Sequence, residues 1–266
     1  MLDPLSHYLQ RNAGQHGPVI LMYHAVMPGS SNPDWPWGVS MRRFRSHLDF
    51  LAAEGWRTPT MAQLVAHPEL YKGRTAVITF DDGYVDNLAA CEELKKRNMH
   101  ASWFVVAGSL GKTPEWPDDG RPSGRLLNAS ELNEMLAAGM EIGSHGVGHV
   151  RLTEVDDAGL HMELHGSRDI LQNAVGKAIC SFAYPYGAWD IRCEEAARQA
   201  GYTAACTTRT GWALLDNNPY QLRRLTVFNT DTQASLARKI SLGSHDISWQ
   251  ALTHYGLKRL RKRLAF

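Results

Sequence analysis

Cysteine is scarce in this chain, and its scarcity narrows the chemistry at once. Only four occur in 266 residues, Cys91, Cys180, Cys193 and Cys206, without paired spacing. They lie in segments that read as helix or strand, so they are expected as reduced core thiols, not as a disulfide framework or a Cys-type zinc cluster. Long apolar runs are also missing, which leaves no candidate for a bilayer-spanning helix. Neither sign of charge dominates: 28 Lys and Arg stand against 27 Asp and Glu, a formal net charge of +1. A chain so close to neutral is not expected to take nucleic acid as a general partner. Met1-Leu2-Asp3-Pro4-Leu5 lacks the basic start and apolar stretch of a secretory signal. With reduced thiols, that favours a cytoplasmic location. Internal repeats and low-complexity tracts are absent as well, and one globular domain over residues 1–266 is expected.

What the chain does have is a rhythm. Short, apolar, branched segments at residues 19–23, 76–80, 101–106, 140–143, 179–183, 203–206 and 222–227 alternate with helical ones. This implies parallel strands joined by helical crossovers, an α/β architecture, and α/β barrels are commonly single domains of this length.

Three of the strand ends carry chemistry. The first run leads into Asp81-Asp82-Gly83. Adjacent carboxylates repel, and a metal bound by one of them offsets the charge and leaves the other to move protons. The plain alternative is a helix N-cap followed by a first-turn acid, with a helix from Tyr84 onward. The second run precedes His145-Gly146-Val147-Gly148-His149. Histidines four apart can aim both rings at one point, and one carboxylate with two imidazoles leaves a coordination position for water. His161 and His165 share that spacing, but in a helix expected over residues 156–175 they read as a polar face. The third segment is Ser181-Phe182-Ala183-Tyr184-Pro185-Tyr186-Gly187. Pro and Gly around an aromatic fix a tight turn that can free the Tyr186 N–H as an oxyanion donor. An ordinary turn into a helix over residues 189–200 is the alternative.

Together and in this order, the three motifs resemble the polysaccharide deacetylases (carbohydrate esterase family four), which carry T-F-D-D-G, H-x-x-x-H and P-Y-G segments at successive strand ends. The resemblance spans Val19 to Val227, and Thr79-Phe80-Asp81-Asp82-Gly83 matches letter for letter. It implies an irregular (β/α) barrel of about seven parallel strands, with its site at the strands' C-terminal ends. It also implies a hydrolase that removes N-acetyl groups from a glycan. Asp81 is then the general base, and Asp82, His145 and His149 hold a divalent metal. Zinc is usual, and cobalt, nickel or iron suit the same ligands. Tyr186 lends its amide to the oxyanion, and Tyr184, Pro185 and Trp116 contact the substrate.

Two positions depart from the family pattern. Gly146 stands where the family usually has Ser or Thr. Ala183 stands where many members have an Arg that orients the base, leaving Arg223 or Arg224 to do so. Many members also take their general acid from a histidine late in the chain, whereas His245 here follows a segment that reads as a helix end with a Gly stop. The N-terminal strand Val19-Ile20-Leu21-Met22-Tyr23 does end in a histidine, His24. This M-Y-H segment resembles the branch that includes the poly-N-acetylglucosamine deacetylases, whose barrel is circularly permuted and begins with the acid-bearing strand. His24 is therefore the expected acid. A helix burying Phe44, Leu48 and Leu51 and closed by Gly55 continues that pattern. The same site would suit an O-deacetylase or another amide hydrolase, and the same barrel a silent sugar-binding protein. Retention of Asp81, both histidines and His24 favours the enzyme.

Two loops carry tryptophans, residues 30–38 with Trp35 and Trp37, and residues 111–125 with Trp116. Exposed rings there would stack on sugar faces; anchoring the loops is the alternative. The C-terminal residues 251–266 place five basic residues in six positions, 258–263, with Leu257, Leu260 and Leu264 at helical spacing. They read as a basic amphipathic tail for an anionic membrane surface, or as a terminal helix packed on the barrel.

Overall fold

The computed structural model describes residues 2–118, 120–248, 250 and 253. Seven strands form one parallel sheet: β1 Val19–Tyr23, β2 Ala76–Phe80, β3 Ser102–Val105, β4 Glu141–Ser144, β5 Ser181–Ala183, β6 Ala204–Cys206 and β7 Leu225–Thr226. Their order is β6-β5-β4-β3-β2-β1-β7. The sheet curls until its edges meet. Cys206 of β6 bridges Leu222, on the segment entering β7, and the Thr207 N–H donates to the Leu222 carbonyl at 2.9 Å. Spatial order therefore follows chain order around the ring, as expected where parallel neighbours are joined by crossovers.

Strands buried on both faces explain why these segments are so uniformly apolar. Alternate residues divide between two cores. Ile20, Val77, Phe104, Ala204 and Cys206 fill the inside of the barrel. Leu21, Tyr23, Ile78, Phe80 and Trp103 pack outward beneath the helices, with Phe80 stacked on Trp103 at 4.6 Å. A short helix, Met61–Ala66, plugs the floor with Met61 and Leu64. Its first amides are satisfied by the strands' N-terminal ends: Met61 N–H donates to Ser102 Oγ and Ala62 N–H to Glu141 Oε2. With the floor closed, the accessible end is the one where the strands finish.

The helix Met41–Ala53 buries Phe44, Leu48 and Leu51 as its periodicity predicts. Elsewhere the local pattern is overridden. The helix expected from Tyr84 begins at Asn87, because Tyr84 bridges Leu126 and the Val85 N–H donates to the Arg125 carbonyl at 3.1 Å; the buried Asn87 side chain ties the helix start to the first strand end. It donates to the His24 carbonyl at 2.8 Å and accepts from the Val26 N–H at 3.1 Å. The helix expected across residues 156–175 is interrupted: α-helices Asp157–His161 and Ser167–Val175 flank a π-helical turn, Met162–Gly166. The last strand shortens to two residues because Leu222 bonds to β6 instead. The amphipathic tail at 251–266 lies outside the described residues except for Thr253. Among the described residues no helix is long and apolar enough to cross a membrane.

Candidate functional site

The strand ends bring the motif residues to one cleft of about 360 Å³, whose lining includes His24, Asp81, Asp82, His145, His149 and Tyr186. After β2 the chain folds back sharply, with Asp82 at φ 70° and Gly83 at φ 88°. A Cβ at Gly83 would meet Val105 at 3.0 Å, so glycine is needed for space as well as for conformation. Three of the five non-glycine residues with positive φ among those described are Asp82, His149 and Tyr186, all at this cleft. Each such conformation costs about 1–3 kcal/mol and persists only where its surroundings enforce it.

The adjacent aspartates go to different partners. Both oxygens of Asp81 accept from the Arg224 guanidinium, at 2.6 and 2.7 Å, and both side chains are buried. Arg224 is itself fixed by donating Nε–H to the Thr207 carbonyl at 3.0 Å. Burial alone would raise the Asp81 carboxyl, and the charge and hydrogen bonds of Arg224 together with His145 and His24 outweigh it, leaving Asp81 below its ordinary value. Arg223, the other candidate, pairs with Asp216 at 2.7 Å.

Asp82 faces the histidines. His145 Nδ1–H donates to the Ala183 carbonyl at 2.7 Å, so the Nε2 lone pair is directed at Asp82 Oδ1, 3.5 Å away. His149 Nε2 lies 3.3 Å from the same oxygen, and its Nδ1 is hydrogen-bonded to the Tyr186 hydroxyl at 3.1 Å. Asp82 Oδ1 is buried and makes no hydrogen bond. Ligand atoms of these three buried residues all lie within 4.8 Å of one another. Acceptor atoms that converge on a buried, unpartnered carboxylate oxygen call for a cation between them, and a carboxylate with two imidazoles is a donor set for zinc or a similar divalent ion. The three residues therefore fit a metal. The Ala183 carbonyl and the Tyr186 hydroxyl fix the ring orientations from behind, the usual arrangement for ligating histidines. Burial pushes His145 down to about 4, so its imidazole is neutral near pH 7 and free to ligate. Burial would raise Asp82, and the surrounding histidines, His149 first and then His24 and His145, outweigh it and hold the carboxyl well below its ordinary value.

His24 lines the same cleft between Trp35 and Trp37, its ring 6.0 and 6.2 Å from theirs. His245 lies away from it and accepts the Thr226 N–H at 2.7 Å. His161, at the end of the preceding α-helix, and His165, on the π-helical turn, stack on each other at 4.2 Å and are not part of the cleft lining.

The tryptophans correct the expectation of exposed rings. Trp35 and Trp116 are buried, and Trp37 alone of the three is exposed. Trp35 Nε1–H donates to Asp118 at 3.0 Å, tying the two loops together, and Trp116 packs on the His149 ring at 4.4 Å. Their first role is to anchor loops and ligands. Tyr184 lines the cleft with a buried hydroxyl that has no protein partner. Pro185 is buried in the turn, facing the Gly146 loop, and does not line the cleft; its ring sets the turn instead. Asn87, which clamps the backbone at His24, and the Tyr186 hydroxyl carry no motif signature and were not foreseeable.

Comparison with known proteins accords with this geometry. Residues 70–205, just over half of the chain, match the family model described as polysaccharide deacetylase. The YxkH protein of Bacillus subtilis (strain 168), which bears the polysaccharide deacetylase name, is 28% identical over 212 residues, 78% of this chain and 70% of its own. Among solved structures, the deacetylase PplD of Streptococcus pyogenes in complex with acetate has a TM-score of 0.72 at 23% identity, over 84% of this chain and 97% of its own. IcaB of Ammonifex degensii has a TM-score of 0.70 at 25% identity, over 85% and 97%.

Proposed function

The chain belongs to the polysaccharide deacetylase family and is a carbohydrate deacetylase, and we propose that it hydrolyses the N-acetyl group of an amino sugar in a polysaccharide, an oligosaccharide or a lipid-linked glycan precursor. One observation carries this reading: the two adjacent carboxylates are separated into one facing two histidines and one held by a buried arginine.

Asp82, His145 and His149 would hold a divalent ion, zinc by preference, which would supply Lewis acidity toward water and the acetamide carbonyl. Asp81 stays ionised beside Arg224 and takes a proton from water as its oxygen bonds to the acetyl carbon. The Tyr186 N–H, on its left-handed turn, donates to the oxyanion of the tetrahedral intermediate. His24 gives a proton to the nitrogen as the C–N bond breaks, releasing a free amine and acetate. Trp37, exposed at the cleft, offers its ring to a pyranose face. The proposal extends to place: four free cysteines and the basic stretch at 258–263 support an enzyme at the cytoplasmic face of the membrane.

Acetate release tests the reading. N-acetylated oligosaccharides and lipid-linked precursors should yield acetate when zinc, cobalt, nickel or iron(II) is supplied, and O-acetylated glycans should not. Asp81→Asn should lose about a hundred- to ten-thousand-fold in turnover while keeping the metal. Asp82→Asn should lose the metal as well. Acetate from O-acetyl esters alone, or near-normal turnover by Asp81→Asn, would overturn the assignment.

A further inference from the structure

The segment between the two facing histidines, residues 146–148, is held from outside. Glu163, nearly buried at 8% exposure, reaches it from the π-helical turn Met162–Gly166. Its Oε2 accepts from the Val147 N–H at 2.7 Å and the Gly148 N–H at 3.1 Å, and its Oε1 also accepts from Gly148 at 3.1 Å. A carboxylate spread over two successive amides is a strong, charge-assisted clamp.

The loop is shaped around that carboxylate. A Cβ at Gly146 would sit 2.6 Å from Glu163 Oε2, and one at Gly148 would sit 3.1 Å from Oε1. Gly146 also has φ 80°, and His149 leaves the loop at φ 55°. Where Ser or Thr would usually place a hydroxyl, this chain has a glycine, and the space belongs to an acid from another element. The π turn follows from the same requirement, since one extra residue per turn redirects the side chains of an otherwise continuous helix. His145 needs less help, for it stands at the end of β4 and bonds to the Ala183 carbonyl. His149 stands at the far end of the loop and depends on its shape.

We propose that Glu163 is a positioning residue for the metal centre, replacing the side chain that Gly146 lacks and setting His149 against Asp82. This rests on the reading of Asp82, His145 and His149 as metal ligands. The test is zinc affinity of the full chain, stripped of metal and titrated against a competing chelator, beside unfolding of the metal-free protein. Glu163→Ala should bind zinc about 10–100-fold more weakly, the usual effect of removing an outer-shell partner. Its kcat should fall with KM unchanged, because no substrate contact is touched. Glu163→Gln, whose amide oxygen can take the Oε2 position and accept both amides, should recover most of the affinity. His161→Ala, at the end of the α-helix just before that turn, should match wild type. Should Glu163→Ala not fold, Glu163→Asp serves, because its carboxylate is withdrawn by one methylene. A lower unfolding midpoint with wild-type zinc affinity among the folded molecules would overturn the proposal, as would equal weakening by His161→Ala. If the wild-type chain bound no zinc, the ligand assignment beneath the proposal would fall instead.

Discussion

Arg224 is the residue on which the chemistry of Asp81 turns, because it is the counter-ion of a carboxylate with almost no access to water. Its guanidinium supplies two parallel hydrogen bonds and a full charge in the barrel interior, where a lysine could supply only a point charge. Arg224→Met should therefore leave Asp81 buried and unpaired, at a cost of about 3–5 kcal/mol in unfolding free energy. The same change should show in activity. Burial raises the Asp81 carboxyl and Arg224, with smaller help from His145 and His24, lowers it; without the arginine the raising effect of burial loses its main opponent. A base must be ionised to accept a proton, so the acidic limb of the pH profile of kcat/KM should move to higher pH. Denaturant melts and that profile check the two effects separately. An acidic limb in the wild-type position would show that Arg224 holds the fold and not the base.

At the scale of elements, the helix Met41–Ala53 contributes a polar link to the barrel as well as an apolar face. His47 is buried, accepts the Tyr23 hydroxyl at Nδ1 (3.1 Å) and donates from Nε2 to the Asp231 carbonyl (2.8 Å). Accepting from Tyr23 at Nδ1 requires the neutral ring, and burial pushes His47 from 6.5 down to about 4. Between those values the unfolded chain binds the extra proton and the folded one does not. Stability from this group is thus complete above about pH 6.5, declines as pH falls, and is lost below about pH 4, a total of about 3 kcal/mol. His47→Gln, which keeps a donor to Asp231, should flatten the fall in urea-unfolding free energy between pH 7 and pH 4.5 relative to wild type. Equal falls in both proteins would remove His47 from the account.

This scale also shows what the sequence could reveal. Strands buried on both faces must be apolar runs, so all seven were legible, as were the acids and histidines at their ends. Boundaries fixed by distant partners were not. Residues 222–224 read as strand, but Leu222 closes the ring against β6. Residues 156–175 read as one helix, but a π-helical turn interrupts it where Glu163 bonds to the amides of the Gly146 loop, a partner distant in sequence. Arg223 and Arg224 were indistinguishable until Leu225 was seen to join the outer core, which turns Arg224 inward. Stacking and anchoring could not be told apart for the tryptophans, because a loop that folds over a site buries some of its rings, Trp35 and Trp116, and leaves another, Trp37, exposed.

At the scale of the whole molecule, charge is unevenly placed. The net charge of +1 turns to −4 without the five cations at 258–263, so the barrel and its loops are acidic while the C-terminal end is strongly basic. Leu257, Leu260 and Leu264 recur at helical spacing beside those cations. Such a segment gains both apolar contact and attraction to anionic headgroups, about 1 kcal/mol per cation near the surface. An acidic body should be repelled by the same surface, so attachment should depend on the tail alone. We therefore expect the chain to sediment with vesicles containing phosphatidylserine or phosphatidylglycerol at low salt, to be released as salt rises, and to ignore zwitterionic vesicles. Deleting residues 258–266 should abolish sedimentation and leave hydrolysis of a soluble substrate intact, because the motif residues of the cleft all come from between His24 and Tyr186. Equal recovery of both forms in the supernatant at low salt would make the tail ordinary structure, and the substrate would then have to reach the enzyme from solution.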